Sequence, residues 1–399
     1  LRSHAYEVMS LKWLEARHFR NLTHISVDLD PGLNLLFGDN GSGKTSLLES
    51  SYFLSTARSF RDTGLDPVIQ RGAQDCLLRG KVQSGSMEHH IGISRNLGGS
   101  REIKINSETT KKSSELARLL PTLILGPHSV DLLIGSPTLR RRFLNWGLFH
   151  VKPGRVDSDL SNSSFTATGT SSIDFPVNWE EANRCLRQRN MLLRRYAANS
   201  ETGSVKELET WSDRLATYAN QIDLQRTQYV ELYRPLFTEI VQQLAGIDDV
   251  TFDYYRGWHR EADLMDIYLK EADLDQKRGF TQKGFQRADV RITVSGQPAA
   301  KVCSRGELKS LVWAMILAQG SLASDTGTSG GGRGTLYLVD DLSSEFDEEH
   351  RSRVCKFLVE TGQQVLLTGV EEKPLLAACK NQYGRLFHVK HGEVEVQEH

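Results

Sequence analysis

The sequence predicts an α/β domain that is built from both ends of the chain and interrupted by a mainly helical insertion. Three observations support this fold class. Strand-like and helical segments alternate near both ends, the stretch from about 179 to 244 is mostly helical, and a glycine-rich loop separates a buried strand from a helix. Alternating strands and helices typically form one sheet covered by helices. We therefore expect residues 9–135 and 280–399 to form one lobe and residues 136–279 to form a second.

Composition limits the class of protein. The chain has 399 residues and a net charge of −1, which allows two domains and excludes a surface covered with nucleic-acid-binding charge. Its five cysteines include no C-x-x-C pair, so neither a zinc site nor a disulfide framework is indicated. No apolar run is long enough to span a membrane, and we expect a cytoplasmic protein. Residues 1–8 precede Met9, and we interpret them as a non-native or mis-assigned extension.

The elements of the first lobe follow from hydrophobic periodicity. MSLKWLEARHFRNLTHISVDLDPGLNLLFG predicts two strands joined by a turn and then a buried strand, and TSLLESSYFLS predicts a helix. The alternating stretch KVQSGSMEHHIGISRNLGGSREIKIN predicts antiparallel hairpins. PTLILGP, FQRADVRITVSG, TLYLVDD and QQVLLTG predict further strands, and SRGELKSLVWAMILAQ predicts a helix. A mixed sheet with an antiparallel β subdomain is the expected result.

The insertion contains helices and low-complexity sequence. NRCLRQRNMLLRRYA has an apolar stripe with arginines on its other faces, and it lacks the sustained heptads of a long coiled coil. A Ser/Thr-rich segment, 155–175, is predicted to be mobile. The Gly-rich stretch SDTGTSGGGRG predicts a loop before TLYLVDD.

The glycine-rich loop is a phosphate-binding motif. GDNGSGKT fits G-x-x-x-x-G-K-[ST], whose glycines let backbone N–H groups point at phosphates. The motif predicts that Lys44 reaches the β- and γ-phosphates and that the Thr45 hydroxyl holds Mg²⁺. We therefore expect ATP and Mg²⁺ as cofactors, with the nucleotide bound by Gly38, Asp39, Asn40, Gly41, Ser42, Gly43, Lys44 and Thr45.

Two aspartates end the apolar strand in TLYLVDD. A carboxylate at the end of such a strand can hold Mg²⁺, and the next one can orient an attacking water. Alone, the pair would more simply be a solvated turn or a helix cap. Together with the phosphate loop, the pair predicts that Asp340 binds the metal ion and that Asp341 and Lys44 are the catalytic residues.

The segment SRGE permits two interpretations. It fits the capping box S-x-x-E of an ordinary helix start. Alternatively, Ser304 and the N–H of Gly306 lie at a helix N-terminus and bind a phosphate group that another molecule supplies. The order of phosphate loop, long insertion, Ser-Gly helix start and acidic strand end is that of ABC-type ATPase heads. In those heads the serine completes the site of another subunit, which predicts that Ser304, Arg305 and Gly306 act in trans in an ATP-dependent homodimer.

From Met9 to about Val396 the chain resembles the RecF family of bacterial recombination-mediator ATPases. The segments that carry the resemblance are FRN, GDNGSGKTS, GSPTLRRRFLNWG, LRQRN, RADVRI, SRGELK…LAQG and YLVDDLSSEFD. The resemblance implies a slow, DNA-stimulated ATPase that acts as a switch and dimerises with ATP on single-stranded, gapped or junction DNA. It also implies a role in loading recombinase at gaps and in the SOS response, with RecR and, through it, RecO as partners.

The resemblance further implies that Arg20 and Asn21 of FRN contact the nucleotide. It favours DNA contacts for Arg140, Arg141 and Arg142, although consecutive arginines are commonly a solvated helix face. The chain departs from the family pattern at Glu307, where glutamine is usual, at His128 and Asn145, and in GFQR. These departures bear on the rate of turnover more than on family membership.

Three other classes share parts of this pattern. An SMC-like structural head would carry a long heptad arm, and a transporter ATPase would have a double-Gly signature and a histidine after the strand VLLTG. A small-molecule P-loop kinase would need neither SRGE nor so long an insertion. Fold analogy alone does not separate these classes, but the signature serine and the family segments favour the repair ATPase.

Overall fold

The computed structural model describes residues 9–61, 68–151, 174–198, 205–325 and 334–397. These residues form two compact units. The first unit contains the described parts of 1–130, 240–246 and 304–399, and the second contains those of 131–239 and 247–303. Three predicted segments lie wholly or mostly outside the described residues: the extension 1–8, the mobile segment 155–175 and the Gly-rich stretch 324–334 that precedes TLYLVDD.

In chain order, the elements of the first unit are β1 (Ser10–Phe19), β2 (Leu22–Asp28), β3 (Leu33–Phe37), α1 (Lys44–Thr56), β4 (Asp75–Ser84), β5 (Met87–Asn96), β6 (Arg101–Ile105), β7 (Glu108–Thr110), α2 (Ser113–Leu119) and β8 (Thr122–Leu125). After the second unit follow α10 (Arg305–Asp325), β12 (Leu336–Val339), α11 (Leu342–Glu345), α12 (Glu348–Glu360), β13 (Val365–Gly369), α13 (Glu372–Ala378), β14 (Arg385–Lys390) and β15 (Glu393–Val396).

The first unit contains two six-stranded sheets. One is antiparallel, in the order β2-β1-β4-β5-β6-β7, and contains the predicted hairpins. The other has the order β15-β14-β3-β13-β12-β8, and all its pairings are parallel except that of β14 with β15. Strands β12 and β13 are buried along their whole length, as expected for parallel strands covered on both faces. The prediction of a mixed sheet with an antiparallel subdomain is confirmed.

A buried glutamine ties the two sheets together. The Gln364 side chain accepts a hydrogen bond from Leu11 N (2.7 Å) and donates to Leu11 O (2.8 Å) and Asp30 O (2.8 Å). Gln364 is 0 % exposed, and these contacts satisfy its buried amide group. The contact joins the start of β1 to residues just before β13, more than 350 positions later in the chain.

The second unit contains α3 (Asp131–Ile134), α4 (Pro137–His150), α5 (Phe175–Ala198), α6 (Val205–Ala245), β9 (Val250–Tyr255), α7 (Leu264–Lys270), α8 (Ala272–Arg278), β10 (Asp289–Val294), β11 (Gln297–Pro298) and α9 (Ala299–Val302). The last residues of α6, from 240, belong to the first unit. It is mainly helical, as predicted, but it also contains a three-stranded antiparallel sheet in the order β11-β10-β9. The predicted return to the first lobe at residue 280 is therefore wrong, because β10 pairs with β9.

One arginine that the sequence placed on a helix surface is instead in the core. Arg189 of α5 is fully buried and donates to Asp275 Oδ2 (2.7 Å), Thr281 Oγ1 (2.6 Å) and Ser212 Oγ (2.9 Å). Removing one member of such a buried pair typically costs about 3–5 kcal/mol. The LRQRN segment therefore has a structural role in the second unit. Among the described residues, no helix combines the length and apolar character needed to cross a membrane.

Candidate nucleotide site

The phosphate loop connects β3 to α1, and its backbone requires glycine at two positions. Gly38 has a φ of 150°, and a Cβ there would lie 2.1 Å from Val389 O of β14. Gly43 has a φ of 120° and immediately precedes α1. Residues with a side chain rarely adopt either backbone conformation. Glycine at both positions therefore lets the loop pack closely against the sheet edge. The helix N-terminus and its free N–H groups consequently face the cavity.

Lys44 is poised over the loop. Its Nζ donates to Gly38 O (2.6 Å) and Asp39 O (2.9 Å), and the residue is only 7 % exposed. Burial lowers the pKa of Lys44, and the nearby charges of Asp341, Asp340 and Asp39 oppose that shift. An anion beside Nζ would restore part of the lost solvation. The geometry is thus suited to a phosphate that draws the ammonium from its two carbonyl partners.

Thr45 and Asp340, the two predicted metal ligands, lie within hydrogen-bond distance of each other. Thr45 Oγ1 lies 2.9 Å from Asp340 Oδ1, which also accepts a hydrogen bond from Thr368 Oγ1 (3.2 Å). Burial raises the pKa of Asp340, and the two hydroxyl hydrogen bonds counteract it. A divalent cation would offset the cost of keeping this carboxylate ionised. One carboxylate and one hydroxyl, with phosphate oxygens completing the shell, fit Mg²⁺.

Asp341 is fixed by the turn that follows β12. Its φ is 51°, its N–H donates to Thr368 Oγ1 (2.8 Å), and its carboxylate accepts from Ser343 Oγ (2.9 Å) and from Ser344 Oγ. Aspartate tolerates this left-handed backbone better than most residues. The carboxylate orientation is therefore set before any substrate binds. Its role in orienting water stays a prediction.

These groups surround a cavity of about 650 Å³, within the usual range for small-molecule sites. The predicted residues in its wall are Arg20, Asn21, Asn40, Gly41, Ser42, Gly43, Lys44, Thr45, Asp340 and Asp341. Gly38 and Asp39 contribute the carbonyls that bind Lys44. The Oγ of Ser42 is buried and has no hydrogen-bond partner within the described ranges, so the loop has an unused polar group for a ligand.

Sequence reasoning missed four wall residues, Ser46, Arg61, Ile69 and Arg71. Ser46 directly follows the phosphate-loop motif, in α1. The other three lie in a stretch without strand or helix periodicity, so no local pattern marks them. Ile69 is positioned by an isolated antiparallel bridge to Phe19, at the end of β1. The only available signal was the pair of arginines among small and polar residues.

Arg20 and Asn21 support the site in different ways. The Arg20 guanidinium donates to the Glu49 carboxylate (2.8–3.2 Å), and the Glu49 side chain is 0 % exposed. Arg61 also approaches Glu49, at 3.7 Å. Asn21 Nδ2 donates to Gly41 O (3.1 Å) and so braces the loop. Direct contact of either side chain with a nucleotide remains a prediction.

The SRGE segment forms the capping box at the start of α10. Ser304 N donates to Glu307 Oε2 (2.7 Å), and Glu307 N donates to Ser304 Oγ (3.3 Å). The hydrogen bond from Ser304 N–H is the main cause that lowers the pKa of Glu307. Ser304, Arg305 and Gly306 are exposed, and the space around Gly306 is open. The helix-cap interpretation is confirmed, and the role in trans stays a prediction.

The structure separates the three consecutive arginines of α4. Arg140 is a structural residue: its Nε and Nη2 donate to Asp289 (2.7 and 3.1 Å), and its Nη1 donates to Gly135 O (2.9 Å). This removes Arg140 from the predicted DNA-binding set, because its donors are already used. Arg141 is half-buried and donates to Ala288 O (3.1 Å), while Arg142 is exposed.

The sequence matches a known protein family along almost its whole length. Residues 10–395 match the family model for the RecF/RecN/SMC N-terminal domain. The chain is 37 % identical to the DNA replication and repair protein RecF of Pseudomonas aeruginosa (strain LESB58), over 97 % of each protein. It is equally identical to the RecF of Stutzerimonas stutzeri (strain A1501), with the same coverage.

Solved structures give the same architecture. A recombination mediator protein RecF with ATP, from the RecFOR pathway, superposes with a TM-score of 0.83 at 23 % identity and covers 100 % of both chains. The Smc head domain of Pyrococcus furiosus bound to the C-terminal domain of ScpA has a TM-score of 0.56 at 14 % identity, covering 98 % of this chain and 96 % of that one. The predicted ABC-type head fold is confirmed.

Proposed function

This chain belongs to the RecF family of DNA replication and repair proteins, and from that premise we propose that it is an ATP-driven switch on DNA. ATP closes a homodimer on single-stranded, gapped or junction DNA, and slow, DNA-stimulated hydrolysis reopens it. The closed state helps to load recombinase at gaps and supports the SOS response. One observation carries the proposal: Thr45 and Asp340, 295 residues apart in sequence, meet at 2.9 Å beside the phosphate loop.

The residues of the cavity divide the work. Backbone N–H groups of the loop and the N-terminus of α1 bind the β-phosphate, and Lys44 moves from its carbonyl partners onto the β- and γ-oxygens. Thr45 and Asp340 would hold Mg²⁺, which supplies charge neutralisation on the phosphates when bound. Asp341 orients the attacking water through a carboxylate that its two serine partners already fix.

The exposed start of α10 supports the proposed homodimer. Within one subunit the Ser304 hydroxyl already accepts the Glu307 N–H, but its own proton is available to an incoming acceptor. A γ-phosphate presented by a second subunit supplies that acceptor at the positive end of a 21-residue helix. ADP lacks the γ-phosphate and should not close the dimer.

Partners are proposed from the relatives. The solved RecF structures belong to the RecFOR pathway, which supports RecR and, through it, RecO as partners of this chain in the cytoplasm. The match over 97 % of the length of the RecF relatives favours this assignment over an SMC-like structural role, a transporter ATPase or a P-loop kinase.

Sedimentation with ATP, ADP or no nucleotide tests the proposal. We expect dimers only with ATP and Mg²⁺. Ser304→Arg should bind ATP normally and stay monomeric, because the added side chain blocks the partner's phosphate. Lys44→Met should lose both binding and dimerisation. A wild-type protein that is still monomeric at saturating ATP, with or without gapped duplex DNA, would refute the switch.

A further inference from the structure

The second unit contains a basic pocket that the ATP switch does not use. This arginine pocket has a volume of about 400 Å³ and is lined by Pro137, Arg141, Tyr255, Arg287, Asp289 and Arg291. We propose that it binds a phosphate group that carries a nucleobase, independently of ATP and of dimerisation. The inference rests on the proposed DNA function only for the physiological source of that ligand. The chemical class of the ligand is inferred from the pocket residues alone.

The one acidic residue in the wall does not cancel the arginines. Asp289 accepts two hydrogen bonds from Arg140 (2.7 and 3.1 Å), and its Oδ1 also accepts the Val290 N–H (2.8 Å). Arg140 in turn is only 12 % exposed in its side chain. The pair is therefore a neutral floor, and the positive charge of the remaining wall residues is uncompensated.

Three further guanidinium groups border this floor. Arg141 is anchored by Ala288 O (3.1 Å) and Thr138 Oγ1 (3.0 Å). Its pKa is lowered first by burial, which Asp289 opposes, and then by the positive charges of Arg226, Arg287 and Arg140. In the part of the chain that the structure describes, Arg287 and Arg291 are exposed and form no ion pair. Such a cluster of like charges is most stable with an anion bound.

Among the described residues, no carboxylate on the sheet forms an ion pair with Arg287 or Arg291. Asp253 is opposite Arg291 in the register of β9 and β10, and its Oδ2 accepts from Thr251 Oγ1 (2.9 Å) on its own strand. Its charge reduces the positive potential near Arg291 but leaves the guanidinium donors unpaired. Arg287 lies over the Phe280 ring, with 5.6 Å from Cζ to the ring centroid, which orients it without neutralising it. The charge of the pocket is therefore open to an external ligand.

An exposed aromatic ring distinguishes a nucleotide from a simple anion. Tyr255 is opposite Asp289 in the register of the β9–β10 pair, and it is 44 % exposed. Arginines beside an accessible aromatic ring are the combination that binds single-stranded nucleic acid, since the phosphate meets the guanidinium groups and the base stacks on the ring. An acidic peptide would use the arginines but gain little from the ring. We therefore favour a nucleotide unit.

Fluorescence anisotropy of a labelled oligothymidine, without ATP and at low salt, tests this pocket. Arg287→Ala with Arg291→Ala should weaken binding at least tenfold and should reduce the log–log salt slope by about 1.4, for two phosphate contacts to a single strand. Tyr255→Ala should cost about tenfold, whereas Tyr255→Phe, which keeps the ring, should bind as wild type does.

The matched control is Arg187→Ala with Arg195→Ala. Both arginines are exposed and lie outside the pocket wall, so this variant loses the same charge elsewhere in the second unit. An equal loss of affinity in the control would overturn the proposal, as would pocket variants that bind within twofold of wild type. Equal competition by polyglutamate or inorganic phosphate would also overturn it, because neither carries a base.

Two competitors identify the source of the ligand. Stronger competition by unlabelled oligothymidine than by thymidine monophosphate indicates a nucleic acid strand, and the reverse indicates a free nucleotide; both support the pocket chemistry. The outcomes remain distinct from those of the ATP switch. A wild type that never dimerises with ATP but loses oligothymidine binding on Arg287 and Arg291 replacement refutes the proposed function and keeps the pocket.

Discussion

At the scale of single residues, Asp340 shows a conflict between stability and ligand binding. Burial raises its pKa above the ordinary value of 3.8. The nucleotide-free fold therefore binds a proton at Asp340 more readily than the unfolded chain does. Ionising this carboxylate costs stability, and the cost develops as the pH rises from the unfolded-state pKa through the raised folded-state pKa. Above the raised pKa the site contains a buried carboxylate, and a bound cation would offset the cost of its charge.

Asp340→Asn should relieve that cost, since an amide oxygen can still accept from Thr45 and Thr368. We expect the thermal midpoint of the nucleotide-free protein to rise by about 2 °C or more at pH 7, and the gain to shrink in acid. The same variant should lose the stabilisation that Mg²⁺–ATP gives the wild type. A lower midpoint at pH 7 together with an intact Mg²⁺–ATP response would contradict this account of the carboxylate.

Asp341→Asn should separate ATP binding from hydrolysis. Removing a group that orients water typically costs 10²–10⁴-fold in rate, so we expect turnover to fall by at least about 100-fold while the ATP dimer persists on DNA. Ser343→Ala is the matched control, because it removes one hydrogen bond to the carboxylate and keeps the charge. Phosphate release and dimer lifetime are the measurements. A wild-type turnover above roughly 10 s⁻¹, the median for enzymes, would exclude a slow timer.

At the scale of elements, the N-terminus of α10 already has an anion. The Glu307 carboxylate accepts a hydrogen bond from the Ser304 N–H, next to the place where the proposed homodimer would put the partner's triphosphate. At an exposed site such a like charge is worth about 1 kcal/mol, so Glu307→Gln should lower the ATP concentration at half-dimerisation by about fivefold. The amide oxygen can still accept from Ser304 N–H, which keeps the cap.

Glu307→Ala tests whether the effect comes from charge or from the helix cap. Losing the cap costs about 1 kcal/mol of stability, so this variant should melt earlier than Glu307→Gln. An ATP titration followed by light scattering gives both half-dimerisation points. If Glu307→Gln needs as much ATP as the wild type, or more, the carboxylate does not oppose the partner's phosphate.

Local pattern predicts most of the elements but not all of their pairings. Continuous apolar sequence predicts buried strands at LNLLF and TLYLV, and the structure has β3 and β12 there. Alternation predicts a strand at RADVRI but does not specify its neighbouring strand, so the prediction assigns it to the wrong unit. The same limit applies to the site: the phosphate loop is a local motif, whereas Arg61 and Arg71 reach the cavity only through tertiary structure.

At the scale of the whole molecule, a net charge near zero means that the proposed DNA binding has to come from local patches, which the proposed homodimer would bring together. Affinity should be insensitive to base sequence and steeper in salt with ATP than without it, by about 0.9 in log–log slope for each added duplex phosphate contact. Replacing Arg140, Arg141 and Arg142 together would be ambiguous, because Arg140 is structural. Arg142→Ala alone is the cleaner variant. Identical slopes with and without ATP would mean that one subunit holds the DNA.

The placement of β3 between β13 and β14 also has a consequence for synthesis on the ribosome. At about 5–20 residues per second, the roughly 330 residues that separate β3 from β13 take on the order of 20–70 s to emerge. During that interval β3 has neither of its final neighbours, and an unpaired apolar strand invites wrong pairing. The candidate nucleotide site is therefore among the last parts of the chain to form. A nascent chain stopped before β13 cannot complete it.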